Sequence, residues 1–226
     1  MTENYDIVKS DFNEIAELGS EPKWNHNNCY FSHLLQHIPT GTETCLDIGC
    51  GKGDLSALLS KRVGKVIAVD LADKMIEFAR SNNAAENIEY ICGNVLDMEY
   101  APLSFDIIIS TATAHHLPYD WLLEFAKDKL RPGGKLILLD LAKASSIMDY
   151  MVWGFAAFPN VIMNLIKNGK LRKDDPHTTE VWRRHGKHDR YMTLHQIRLV
   201  AAQHIPGAVV RRKLFWRYSL IWQKNS

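Results

Sequence analysis

The chain has 226 residues, of which 46% are hydrophobic and 23% are charged, and these values exclude a disordered or fibrous protein. No basic stretch followed by an apolar run begins the chain, and the four cysteines form no C-x-x-C pair, so we expect a cytoplasmic protein with reduced thiols. The net charge of +1 is uneven, because residues 166–226 hold 14 Lys and Arg against 4 Asp and Glu. This basic third is interpreted as a solvated face that balances the acidic remainder, or as a docking surface for nucleic acid or protein.

Residues 1–40 are predicted to form an N-terminal helical cap. Apolar residues recur at helical spacing up to Gly19 and again from about residue 31 until Pro39, which indicates two helices. His33 and His37 lie one helical turn apart, but no third ligand accompanies them. The sequence therefore predicts no metal site.

The stretch at residues 44–56 is an apolar strand, a glycine turn and the beginning of a helix. A dinucleotide-binding loop has the spacing G-x-G-x-x-G, whereas this loop is D-x-G-x-G-x-G, with Asp47 two residues before Gly49. Gly49 and Gly51 allow the backbone to approach a ligand closely, and Asp47 can pair with a ligand cation. The loop favours a ligand with a positive amino group and no phosphate, and it resembles motif I of the class I S-adenosylmethionine-dependent methyltransferases.

Strands and helices alternate through the next hundred residues. Nearly continuous apolar runs suit a parallel sheet that is covered on both faces. The predicted strands are 44–49, 65–70, 88–93, 105–111 and 135–141, and the predicted helices are 53–62, 73–83 and 119–129.

Side chains that follow the second and third strands are predicted to bind the nucleoside of the ligand. Asp70 ends the second strand, where a carboxylate with two acceptor oxygens matches the two ribose hydroxyls. Leu71 and Met75 are placed on the adenine face. The resemblance implies that Asn94 accepts the adenine amine, in place of the acid usual there, and that Val95 offers its backbone N–H.

The fourth strand leads into Thr111 and a His-His-Leu turn, and a Pro-Gly-Gly turn is predicted before the fifth strand. In the methyltransferases that this chain resembles, the loop after the fourth strand lies beside the transferable methyl group. The resemblance thus implies that Thr111 contacts the cofactor. His115 and His116 are candidate general bases, because imidazole titrates near neutral pH. Tyr30 of the N-terminal segment is placed over the cofactor.

Residues 142–192 interrupt the alternation of strand and helix. The apolar run 147–166 is long enough for a membrane-spanning helix. Gly154, Pro159 and two asparagines instead favour a helical insertion that covers the active edge of the sheet as a lid. The aromatic residues of this run line an acceptor pocket or pack in the core: Tyr150, Trp153, Phe155 and Phe158. Residues 193–226 are predicted to form a final helix and a strand pair.

The expected fold is a single α/β domain, 1–226, with a cofactor-binding core at 44–141. It is Rossmann-like and doubly wound, with a mostly parallel seven-stranded sheet, N-terminal helices and a helical insertion after strand 5. The resemblance implies transfer of a methyl group from S-adenosylmethionine to a small-molecule acceptor, leaving S-adenosylhomocysteine. Two alternatives stay open, an RNA or protein methyltransferase and a non-catalytic nucleotide-binding module. Both a monomer and a homodimer are compatible with the sequence.

Overall fold

The computed structural model describes residues 2–19, 23–168, 176–187 and 189–225, whose centre is a seven-stranded sheet in the order β3-β2-β1-β4-β5-β7-β6. The strands are β1 (Thr44–Ile48), β2 (Lys65–Asp70), β3 (Ile88–Cys92), β4 (Phe105–Thr111), β5 (Leu130–Leu141), β6 (Val209–Arg212) and β7 (Arg217–Gln223). The pairings among β1 to β5 are parallel, and β7 runs antiparallel to both β5 and β6. The predicted fold class is confirmed.

Helices precede the sheet, alternate with its strands and fill the segment after β5. They are α1 (Thr2–Glu17), α2 (Phe31–Leu35), α3 (Asp54–Leu59), α4 (Asp73–Asn82), α5 (Tyr119–Lys129), α6 (Ile147–Asn168), α7 (Pro176–His185) and α8 (Leu194–His204). The best-defined beginning is that of α8, where Thr193 and Gln196 exchange hydrogen bonds in a capping box. The helices of the predicted core, α3 to α5, begin within one residue of their expected positions.

The sheet is buried on both faces, which explains why its parallel strands are nearly continuous apolar runs. On one face, Leu122 of α5 and Ile197 of α8 pack against Leu46 and Ile108. On the other face, Leu34 of α2 and Ile76 of α4 pack with the strand side chains that point to that face. Because successive side chains of a strand point to opposite faces, both layers of helices are needed to cover it.

The sheet order reverses direction between β1 and β4. The chain moves outward from β1 to β2 and β3, then returns to the other side of β1 and continues through β4 and β5. The connections that leave the carboxyl ends of β1 and β4 therefore diverge, and a crevice opens between them. Ligands of open α/β sheets bind at this kind of position.

One boundary differs from the sequence-based expectations, and two other segments become more specific. The fifth strand begins at Leu130, so that the Pro-Gly-Gly stretch lies within an irregular extension of β5 and is not a separate turn before it. The polar stretch before residue 190 contains α7, a helix within the insertion that was predicted for residues 142–192. The final strands form an antiparallel pair whose connection places Phe215 and Trp216 at positive φ.

The apolar segment after β5 forms α6, a single helix of 22 residues. Within the ranges that the structure describes, no helix combines the length and apolar character that crossing a bilayer requires.

Candidate active site

A cavity of about 670 Å³ opens at the carboxyl ends of β1 and β4. The glycine loop (residues 49–53) forms its floor, and α1 and α7 contribute walls. All but one of the predicted site residues line it: Asp47, Gly49, Gly51, Asp70, Leu71, Met75, Asn94, Val95, Thr111, His115 and His116.

Packing against a neighbouring loop, as well as the cavity, requires glycine at position 49. Its φ is +71°, and a Cβ built there would lie 2.0 Å from Oγ1 of Thr113, so a larger residue requires both strain and a displaced loop. Gly51 also has a positive φ, of +53°, but a Cβ there would meet open space. The sequence-based reason, close approach of a ligand, therefore applies to Gly51, whereas Gly49 is also fixed by packing.

Asp47 lies at the end of β1 and is almost completely buried. One of its carboxylate oxygens accepts a hydrogen bond of 2.6 Å from the Ser56 hydroxyl. Burial raises the pKa of Asp47 to about 7, and the hydroxyl of Ser56 and the charge of Asp70 act on it in opposite directions. The carboxyl is thus poised to ionise when a positive ligand group arrives.

Asp70 organises the second side of the glycine loop. Its Oδ2 accepts 2.8 Å from the backbone N–H of Gly51, and its Oδ1 accepts 2.9 Å from the N–H of Ala72. Each carboxylate oxygen can accept a second hydrogen bond, so the group keeps capacity for a cis-diol. Burial raises the pKa of Asp70, and the backbone donors oppose that effect.

Asn94 caps the short 3₁₀ helix that follows β3. Its Oδ1 accepts a hydrogen bond of 3.1 Å from the backbone N–H of Leu96. One lone pair of that oxygen and the side-chain amide group remain available for a ligand. A hydrogen bond between Asn94 and adenine stays a prediction. Val95 lines the same end of the cavity and is buried.

Tyr30 is the predicted site residue that the structure does not bring to the cavity. Its hydroxyl donates 3.3 Å to the carbonyl of Leu214, and the residue packs outside the lining. Phe31, the next residue, lines the cavity instead. Since Tyr30 and Phe31 point in different directions at the beginning of α2, the sequence could not distinguish them.

The wall formed by α1 consists of apolar side chains at helical spacing. Val8, Phe12 and Ile15 all line the cavity, and the apolar face that was predicted for packing thus covers a ligand site. Lys52 of the glycine loop fastens this helix, because its buried ammonium donates to the carbonyls of Ile15, at 3.2 Å, and Gly19.

The far end of the cavity is polar and contains both predicted histidines. Nδ1 of His115 lies 2.7 Å from Oδ1 of Asp140, a residue at the end of β5, and Nε2 faces the cavity side. Burial by itself lowers the pKa of His115, but the charges of Asp140 and Asp189 outweigh it and raise the pKa. Burial lowers the pKa of His116 to about 2, so His116 is a poor proton acceptor and the role of base fits His115 better.

Two residues from α7 and the segment after it complete a histidine cluster, defined here as His115, His116, His185 and Asp189. Oδ1 of Asp189 lies 3.8 Å from Nδ1 of His116 and 3.5 Å from Nε2 of His185. Its Oδ2 accepts a hydrogen bond from the hydroxyl of Tyr191. No local sequence pattern indicates this arrangement, because about seventy residues separate its two halves.

Among the aromatic side chains of α6 that the structure describes, Tyr150 and Phe155 do not line the cavity. The side chains of Tyr150 and Phe155 are exposed, and those of Trp153 and Phe158 lie outside the described part of the structure. Tyr150 and Phe155 therefore lie neither in an acceptor pocket nor in the core, the two places that the sequence predicted for them.

Comparison with known proteins agrees with this arrangement. The model of the protein family described as "Methyltransferase domain" matches residues 46–138 of the chain. The matched segment runs from β1 to β5 and contains the glycine loop, Asp70 and the histidine turn.

Related sequences extend well beyond that segment. An uncharacterized methyltransferase of Mycobacterium tuberculosis is 28% identical over 201 residues, which are 88% of this chain and 96% of the relative. The ubiquinone/menaquinone biosynthesis C-methyltransferase UbiE of Hydrogenovibrio crunogenus is 30% identical over 180 residues, covering 76% of this chain and 66% of the relative.

Solved structures share the fold. Geranyl diphosphate C-methyltransferase from Streptomyces coelicolor, in complex with Mg²⁺, geranyl diphosphate and S-adenosyl-L-homocysteine, superimposes with a TM-score of 0.59. The identity is 12%, and the match covers 88% of this chain and 78% of that one. At such identity, the likeness is one of fold.

Proposed function

The chain belongs to the class I S-adenosylmethionine-dependent methyltransferases, and from this premise we propose that it methylates a small molecule bound at the histidine end of its cavity. S-adenosylmethionine is its cofactor. The protein's task is to hold the acceptor in line with the cofactor's methyl group and to exclude water. Positioning of this kind supplies roughly 7–11 kcal/mol of the barrier reduction.

The observation that carries the proposal is that one cavity joins the predicted cofactor residues to the histidine cluster. Its volume, about 670 Å³, is in the range of small-molecule sites. Two of its walls are joined, since Arg184 of α7 forms ion pairs with Asp11 and Glu14 of α1. A partly enclosed cavity of this size suits a small-molecule acceptor better than an RNA or protein segment, which needs an open approach.

We assign the cofactor to the end of the cavity formed by the glycine loop, β2 and β3. The Asp70 carboxylate receives the ribose hydroxyls, Asn94 and Val95 contact adenine, and Asp47 attracts the positive methionine part. This orientation leaves the transferable methyl group facing β4 and the histidine turn. Thr111 supports the assignment, because its buried Oγ1 has no hydrogen-bond partner among the described residues.

His115 and His116 are proposed to contact the acceptor. His115 is the better placed, because its Nδ1–H is held by Asp140 and its Nε2 lone pair is directed toward the cluster. Arg217 lies at the same end, where Asn27 accepts hydrogen bonds of 2.9 and 2.7 Å from its guanidinium. An acceptor with a hydroxyl or carbonyl oxygen beside its reacting atom matches these polar groups.

The relatives support a small acceptor without naming it. Two of them are a demethylmenaquinone methyltransferase of Symbiobacterium thermophilum and the C-methyltransferase UbiE already described, both quinone-modifying by their names. A ring with oxygen substituents has the polarity that the histidine end requires. We therefore propose a small oxygen-bearing ring compound as the acceptor class.

The alternative of docking on RNA or protein through the basic third finds less support. Several of its cations are already paired in the structure, including Arg183 with Glu180 and Arg212 with Asp149. A non-catalytic nucleotide-binding module needs no second polar cluster beside the ligand.

The predicted cytoplasmic location stays a prediction, with which the four free cysteines are compatible.

The test is to incubate the protein with methyl-labelled S-adenosylmethionine and a desalted metabolite extract, with separate reactions on total RNA and total protein. We expect label in extractable small molecules, and a boiled-enzyme control without it. Label only in RNA or protein contradicts the acceptor class, and tight cofactor binding with no label in any fraction supports the non-catalytic alternative.

A further inference from the structure

Three side chains from two distant parts of the chain converge at the histidine end of the cavity. His115, His116 and Asp189 each direct one ligand atom to a common space, and these atoms lie within 4.8 Å of one another. Oδ1 of Asp189 is 4.0 Å from Nε2 of His115 and 3.8 Å from Nδ1 of His116. Two imidazoles and one carboxylate form a familiar donor set for divalent transition metals.

Hydrogen bonds outside this space orient two of the three donors toward it. Asp140 accepts from Nδ1 of His115, which leaves the Nε2 lone pair directed at the cluster. Tyr191 donates to Oδ2 of Asp189, which leaves Oδ1 free. A carboxylate that holds the far nitrogen of a histidine ligand is the usual outer shell of a metal site.

The free oxygen of Asp189 has nothing to satisfy it. Its side chain is 4% exposed, and Oδ1 has no hydrogen-bond partner among the residues that the structure describes. In the same part of the chain, its ion-pair contacts are with histidines alone: His115, His116 and His185. A divalent cation would pair this buried carboxylate oxygen, because a buried charge is normally paired or coordinates a metal.

We propose that His115, His116 and Asp189 bind one divalent transition-metal ion of the zinc class. In a tetrahedral zinc site with bonds of about 2.0–2.1 Å, neighbouring donor atoms are about 3.4 Å apart. The separations of 3.8 and 4.0 Å exceed that value by roughly half an ångström, which small side-chain rotations can supply. Nitrogen donors select Zn²⁺, Co²⁺ or Fe²⁺, whereas Mg²⁺ and Ca²⁺ prefer oxygen ligands alone.

The chain contains a second histidine pair that provides a contrast. His33 and His37 also have adjacent rings, but Lys213 Nζ lies 2.8 Å from Nε2 of His33. Burial lowers the pKa of His37, and the charges of Lys135 and Lys213 lower it further. The His33–His37 pair is therefore surrounded by cations. The His115–His116 pair has the buried carboxylates of Asp140 and Asp189 beside it, so a cation is expected at that pair alone.

Three protein ligands leave at least one coordination position open, as in catalytic zinc sites. Because the ligands line the cavity, the open position faces the acceptor end. An oxygen of the acceptor can occupy it and thereby fix the ring beside the cofactor. This last consequence rests on the proposed function, whereas the metal site itself does not.

The direct test is titration of the untagged, chelator-treated protein with Co²⁺ and with Zn²⁺, followed by visible absorption and calorimetry. We expect one ion per chain and at least tenfold weaker binding for His115→Gln and for Asp189→Asn. Tyr191→Phe, which removes only an outer contact, should weaken binding about 10- to 100-fold. The matched control, His37→Gln, should bind like the wild type.

Separate measurements distinguish a loss of metal binding from a loss of folding or of cofactor binding. Zn²⁺ should raise the melting temperature of the wild type and of His37→Gln but not that of Asp189→Asn, whose unliganded form should be no less stable than the wild type. S-adenosylhomocysteine binding to each variant shows whether the cofactor end is intact. Absence of metal binding in the wild type, or equal affinity in wild type and Asp189→Asn, overturns the metal site and leaves the methyltransferase proposal standing.

Discussion

Asp47 shows how burial of one carboxyl can link cofactor affinity to pH. Burial raises its pKa to about 7, so the group is partly protonated in the free protein near neutral pH. The cofactor carries positive charges on its sulfonium and amino groups, and these favour the ionised form. Binding therefore releases a proton wherever Asp47 is still protonated.

We expect the affinity for S-adenosylmethionine to rise between about pH 5.5 and 7.5, by at most tenfold per pH unit. The sign follows from the raised pKa, because the charged carboxylate that attracts the cofactor accumulates as pH rises through about 7. Calorimetry of the wild type and Asp47→Asn measures the slope, and Glu86→Gln, which changes an exposed acid outside the cavity, is the matched control. An equal slope in wild type and Asp47→Asn contradicts the assignment.

His115 is placed where its loss should separate chemistry from cofactor binding. Whether its Nε2 receives a proton or binds an ion, His115→Gln removes that nitrogen from the acceptor end. We expect kcat to fall by about 10²–10⁴ while the dissociation constant of S-adenosylhomocysteine changes less than threefold. Steady-state rates on the acceptor found by labelling, with His37→Gln as control, provide the measurement.

Asp140→Asn should reproduce part of the His115 defect, since it changes the group that orients the imidazole. A loss of cofactor affinity equal to the loss of kcat in His115→Gln assigns the residue to packing of the turn and contradicts a role at the acceptor.

The sequence predicted residues of the site that follow a strand, and it missed those that reach the site from elsewhere. Asp47, Asp70 and Asn94 stand at the carboxyl ends of parallel strands, which meet at one edge of a sheet. His185 and Asp189 carry no comparable local pattern. Their position depends on how α7 packs against α1, and long-range packing of that kind is not encoded in spacing.

At the scale of elements, α1 behaves as a wall of the cofactor site. Its apolar face lines the cavity, and the ammonium of Lys52 donates hydrogen bonds to the backbone carbonyls of Ile15 and Gly19 at its carboxyl end. Additional polar contacts join α1 to α4, including the hydrogen bond of 3.0 Å from Asn13 to Asp73. We therefore expect these contacts to influence how fast the cofactor enters and leaves the cavity.

We expect Lys52→Met to weaken cofactor binding about tenfold, mainly through faster dissociation, because hydrogen bonds from a charged donor contribute roughly 1.5–3 kcal/mol. Amide hydrogen exchange in residues 5–17 should accelerate in the variant, since α1 is held less firmly. Lys61→Met, which removes an exposed lysine, should change neither quantity. Unchanged exchange in α1 would show that Lys52 does not fasten the helix.

The apolar run after β5 illustrates where a local pattern misleads. It predicts a buried or inserted helix, and the helix exists as α6, but Ile147, Tyr150 and Phe155 are largely exposed. The core strands were predicted correctly because helices cover both faces of the sheet, and this burial makes the strand sequences apolar. No comparable layer covers this face of α6 among the described residues.

At the scale of the molecule, the uneven charge of the sequence is partly neutralised within the fold. Arg184 of the basic third pairs with Asp11 and Glu14 near the beginning of the chain, and Arg212 pairs with Asp149. Composition alone left a solvated face and a docking surface as open interpretations. These ion pairs favour the first, because paired cations contribute less to a surface potential.

The central claim is that one cavity holds the cofactor by the glycine loop, Asp70 and Asn94 and directs its methyl group toward the histidine cluster. The most direct measurement is a crystal structure of the protein with S-adenosylhomocysteine. The account predicts ribose hydroxyls on Asp70, adenine beside Asn94 and Val95, and the sulfur facing the His115 side of the cavity. A ligand with its adenine at the histidine cluster, or bound outside this cavity, would contradict it.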